Sequence, residues 1–97
     1  MSDAAYGEGD RVFGPPQGTY DADWIATAAR QQDPGLPAET ALLLAQEAFA
    51  HLQAMHELNA PELARRLMAD HDTTGATAAN MVARSAVEFC RTYAVEL

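Results

Sequence analysis

Between Pro37 and His56 the apolar residues recur at every third or fourth position. Leu42, Ala45, Ala48, Phe49, Leu52, Met55 and His56 fall on one predicted helical face, with Glu39, Gln46, Gln53 and Glu57 opposite. Pro37 suits the first helical position, and Glu39 adds negative charge to the first turn. Leu43 and Leu44 widen the apolar stripe, which predicts more than one packing partner for this helix.

Three further helices are predicted around it. The first spans Asp21 to Gln32. Asp21 caps it, Asp23 lies near its positive end, and Tyr20 is placed to staple onto Ile25. Trp24, Ile25, Ala28 and Ala29 are read as its shared face, and the Asp33-Pro34-Gly35 turn stops it. The third spans Ala60 to Asp70. Asn59 is its cap, Glu62 completes a capping box, and Leu58 with Leu63 forms a hydrophobic staple. Pro61 is accepted in a first turn and disfavoured mid-helix, so a new helix starts here at an angle. Leu63, Leu67 and Met68 are read as inward, Arg65 and Arg66 as outward. The fourth spans Thr74 to Glu96, with Ala79, Val82, Ala86, Phe89, Tyr93 and Leu97 as its stripe. Asn80, Arg84, Glu88 and Arg91 form its wet face, with Arg84 and Glu88 as an i,i+4 pair.

No alternating strand pattern or internal repeat interrupts this reading. Residues 1–20 hold four of the six glycines and the Pro15–Pro16 pair, which predicts an irregular arm carrying the apolar Val12, Phe13 and Tyr20. The expected architecture is therefore all-α: a four-helix bundle-like domain over residues 21–97 with an irregular N-terminal arm over 1–20. The second and fourth helices are expected to form the main seam, and the first and third to cover its ends.

Composition adds the expectation of self-association. The 97 residues contain 21 alanines but only three Phe, three Tyr and one Trp. Alanine favours helix yet buries little area, so a core this small gains from a partner. A homo-oligomer is expected. Phe13, Leu43, Leu44, Phe49 and Met55 are the candidate contact residues.

Charge narrows the partners. The formal charge is −8 and lysine is absent. Residues 1–62 hold ten acids against two arginines, and residues 63–97 hold four acids against four arginines, so the first stretch carries the whole excess. Direct nucleic-acid binding is disfavoured because phosphate backbones repel such a surface. Cys90 stands alone, which fits a reducing cytoplasm, and neither a secretory signal nor a membrane-spanning run is visible.

Candidate chemistry is sparse. His51 and His56 diverge by roughly 140° on a straight helix and cannot grip one ion. His51 with Glu47 offers two ligands, which would need a third from Asp70, His71 or Asp72 across the bundle. Surface or turn roles for these histidines are expected instead, with His56 partly buried. Cys90 lies mid-helix near the apolar face and reads as a packing residue. No phosphate-binding glycine pattern is present. No catalytic residue, cofactor or metal is assigned.

The expected function is a cytoplasmic protein–protein interaction or adaptor module without catalytic activity. The first alternative is an acidic inhibitor or nucleic-acid mimic that blocks a basic partner. The second is a helix-turn-helix-like regulator built on residues 60–97, although the intervening turn is long for that motif.

Overall fold

A computed structural model describes residues 18–71 and 75–97. Four α-helices follow in order: α1 (Ala22–Gln32), α2 (Ala38–Met55), α3 (Ala60–Asp70) and α4 (Ala76–Thr92). Among the described residues there is no strand, and no helix is long and apolar enough to cross a membrane. The architecture is the expected all-α, four-helix bundle-like one. The expected arm over residues 1–20 lies outside the described residues except for its last three.

The caps act largely as the sequence implies. The Asp21 carboxylate accepts from the Trp24 backbone N–H at 3.0 Å and opens α1. Arg30 Nε donates to the Leu36 carbonyl at 3.0 Å, closing the turn after that helix. Asn59 Oδ1 accepts from the Glu62 N–H at 3.1 Å and opens α3. The reciprocal half of the expected capping box does not form. Glu62 turns instead to Arg65 Nε at 2.9 Å and Arg66 Nε at 3.0 Å. These two guanidinium groups hold its carboxyl well below the ordinary range, at about 2.

Several boundaries and faces differ from the expectation. Pro37 is the residue before the first helical position of α2, not the first position itself. His56 does not extend the apolar face of α2. It is exposed and left-handed (φ 56°), and its N–H bonds back to the Leu52 carbonyl. Met68, read as inward, is among the exposed large apolar side chains. α4 ends at Thr92 rather than Glu96. Ala94 is left-handed (φ 53°), and the Val95 N–H returns to the Cys90 carbonyl at 3.1 Å. That six-to-one bond is a Schellman closure made without glycine. It turns Tyr93, Val95 and Leu97 back onto the core.

α4 is the central element and packs against all three other helices. Eight of its residues are buried, from Ala79 to Cys90. The most extensive interfaces are α1–α2 and α3–α4, whereas α1 and α3 do not meet. The expected main seam between α2 and α4 is present but is not the largest. Ile25, Leu44, Leu52, Leu63, Leu67 and Val82 are fully buried, and alanines fill much of the space between them.

An aromatic chain ties the ends of the fold together. Tyr20, expected to staple onto Ile25, packs against the core and reaches beyond its own helix. It stacks on Phe49 with ring centroids 4.4 Å apart and meets Phe89 edge-on at 6.0 Å. Phe89 lies 4.6 Å from Tyr93, which in turn meets Trp24 edge-on at 6.4 Å. The Tyr20 hydroxyl donates to the Ala45 carbonyl at 2.5 Å, and burial pushes its pKa up from 10.0. Gly18, with φ 85°, donates its N–H to the Tyr93 carbonyl.

Leu52→Ala removes a fully buried side chain from α2. It is expected to cost about 2–5 kcal/mol, whereas Leu43→Ala on the same helix stays within about 0.5 kcal/mol. Urea unfolding of the two variants beside the parent measures both. A similar loss for the two would reverse the assignment of the buried face.

Candidate interaction surface

The five residues expected to carry contacts separate on folding. Phe13 lies outside the described residues. Leu44 is fully buried in the core and has no surface to offer, so it is withdrawn from the set. Phe49 is half-buried under Tyr20, and Met55 is half-buried against the core. Leu43 is exposed at 43%. Two residues the sequence reading placed inward complete the exposed large apolar side chains: Trp24 at 36% and Met68 at 38%.

Trp24 lines a groove between α1 and α4. On α1, Trp24, Ala28 and Gln32 are four residues apart and form one ridge. On α4, Arg84, Glu88 and Thr92 form the matching ridge, with Ser85 and Phe89 at its inner edge. Between the two runs a groove of about 310 Å³. Trp24, Ala28 and Phe89 give it apolar walls, and Arg84 and Glu88 give it charge of both signs. The stripe that buries α1 is Ala22, Ile25, Ala26 and Ala29, which leaves Trp24 on the far side of that helix. A tryptophan that falls off its own helix's buried stripe was the available signal for this surface.

The rim is unusual in its lack of internal pairing. Arg84 and Glu88 do not form the expected i,i+4 pair. Their order along the helix, base before acid, is the less favourable one. Among the described residues neither side chain has an intramolecular partner. The Ser85 hydroxyl, buried in the wall, also lacks one.

A second polar cluster joins α2 to the end of α3. Glu47 and His51 stand one turn apart on α2, and Asp70 and His71 end α3. His51 Nε2 donates to Asp70 Oδ2 at 2.6 Å, and His71 Nε2 donates to Glu47 Oε1 at 2.6 Å. The fold thus gathers the four side chains that the sequence named as conceivable ligands; Asp72 lies outside the described residues. Each imidazole is committed to one carboxylate. Among the described residues no three of His, Cys, Asp or Glu are disposed to hold a metal ion. Both pairs are partly exposed, so each contributes little to stability. Their geometry serves to fasten the smallest interface of the bundle, that between α2 and α3.

Cys90 faces the core, and burial pushes its thiol up to about 11. That suppresses the thiolate and with it nucleophilic reactivity.

Ser85→Ala removes a buried hydroxyl that has no partner and adds a better helix former. It is expected to raise stability by about 1 kcal/mol in urea unfolding; a loss would mean the hydroxyl is satisfied. Cys90 is expected to react with a thiol reagent at mildly alkaline pH many times more slowly in the native protein than in the unfolded chain. Equal rates would place the thiol at the surface.

No family model matches the sequence, and no curated protein and no solved structure matches the chain.

Proposed function

We propose that the chain is a small acidic helical interaction or adaptor module without catalytic activity, working in the cytoplasm by binding a protein partner. The observation that carries this reading is the α1–α4 groove, where a partly exposed Trp24 lies beside charged side chains that have no partner of their own. Aromatic side chains beside polar groups with unused hydrogen-bonding capacity are what an interface recruits. Leu43 and Met68 add apolar surface on α2 and α3. The acidic excess sets which partners approach and how fast, while buried apolar anchors supply most of the affinity.

The immobilised chain is expected to retain a partner protein at high salt as well as low, because apolar contacts are little screened. Trp24→Ala is expected to weaken that binding about tenfold or more. Binding that collapses with added salt and ignores Trp24 would favour an acidic mimic of nucleic acid instead. Retention of duplex DNA at low salt, lost on changing Arg65, Arg66 and Arg84, would favour a helix-turn-helix regulator.

A further inference from the structure

We infer that the outer face of α4, with the adjoining α1 groove, is the dimer interface of the protein, and that its occupant is a second copy of this chain packed antiparallel on α4. This rests on the interaction-module reading and names its partner.

The outward row of α4 reads Thr77, Met81, Arg84, Glu88 and Arg91, at spacings of four and three. Met81 is partly buried and the other four are exposed. A two-fold axis perpendicular to α4, passing just outside this row at the level of Ala86, would set the row antiparallel against its own copy. It brings Arg84 of one copy against Glu88 of the other, and the reverse pair follows by symmetry. Met81 then lies against the aliphatic stem of Arg91 in the partner. The row is self-complementary in the order of its charges.

Two independent observations select this face. The first is the fate of the arginines. Arg30 donates to the Leu36 carbonyl, and Arg65 and Arg66 hold Glu62. Among the described residues, the two arginines left without an intramolecular partner are Arg84 and Arg91, and both lie on this row. The second is repulsion. Two copies bring together −8 and −8. The acidic excess resides in residues 1–62, whereas residues 63–97 are balanced. The α4 row itself bears Arg84 and Arg91 against Glu88, so along it two copies meet without setting acid against acid, and Trp24 of each copy flanks it from α1.

Sedimentation of the parent protein over a range of concentrations is expected to show a reversible dimer. Arg84→Glu alone sets acid against acid, and Glu88→Arg alone sets base against base. Each is expected to raise the dimer dissociation constant about tenfold or more. An equimolar mixture of the two single variants restores both attractive pairs, and is expected to sediment as a heterodimer. The double variant Arg84→Glu with Glu88→Arg is expected to recover the homodimer. Both side chains are exposed, so circular dichroism and the urea midpoint serve as the check that each variant remains folded. A parent that stays monomeric at high concentration overturns the dimer. So does a dimer indifferent to the single reversals, or a mixture that fails to recover. A monomer that still binds a protein through Trp24 would leave the interaction-module reading standing while ending this proposal.

Discussion

Helix contacts filled largely by alanine are the constraint from which the rest of this structure follows. Ala26, Ala29, Ala41, Ala45, Ala48, Ala64, Ala79, Ala83 and Ala86 are all buried. A methyl group lets two backbones come near each other but removes little surface from water. A handful of larger side chains must supply the remainder, among them Ile25, Leu44, Leu52, Leu63, Leu67 and Val82. Close packing also explains why α4 has buried residues around more than half of its circumference, and why Ser85 is enclosed with nothing to bond. The Ser85 hydroxyl is covered by neighbours that offer it no partner.

A core of small side chains leaves its ends open, and aromatic rings close one of them. Tyr20 precedes α1 yet packs between Phe49 of α2 and Phe89 of α4. Its hydroxyl satisfies itself on the Ala45 carbonyl, a group already engaged within α2. Tyr93 and Trp24 extend the chain of rings to the groove. The Gly18–Tyr93 backbone bond brings the entry and exit of the helical domain to the same place. The groove is therefore the outer continuation of the aromatic closure, and its position depends on the same rings that hold the fold.

Local signals in the sequence resolve the helices well and their faces less well. Asp21 and Asn59 announce starts because each must accept from an otherwise orphan N–H, and the Asp33-Pro34-Gly35 turn announces a stop. Left-handed stops at His56 and Ala94 leave no such mark, since neither residue is the glycine that usually announces one. Three consecutive leucines blur the spacing argument. Leu42, Leu43 and Leu44 are about 100° apart, and only the placement of α1 and α4 decides that Leu44 goes in and Leu43 out. Trp24 was read as sharing a face with Ile25, Ala28 and Ala29, yet the buried stripe runs through Ile25, Ala26 and Ala29 and excludes it. The Glu47–His51 and Asp70–His71 groups could be named from spacing. Their crossing could not, because it depends on how the chain turns between α2 and α3.

Charge is distributed by the same hierarchy. Partners within one helix or across one turn are met first, as in the Glu62 carboxylate held low by Arg65 and Arg66. Partners across an interface are met next, as in the two imidazole–carboxylate bonds that fasten α2 to α3. What remains is charge that the monomer's own geometry cannot pair. On α4 the base-before-acid order of Arg84 and Glu88 weakens the local pair, so both groups stay in water along the groove beside Trp24. Leaving them solvated costs the monomer almost nothing, because exposed pairs are worth little to begin with. At an interface the same two groups have a different value, because desolvation strengthens each contact and penalises every mismatch. A row that is indifferent in the monomer can therefore be selective between copies, and that selectivity arises from the order of two residues on one helix.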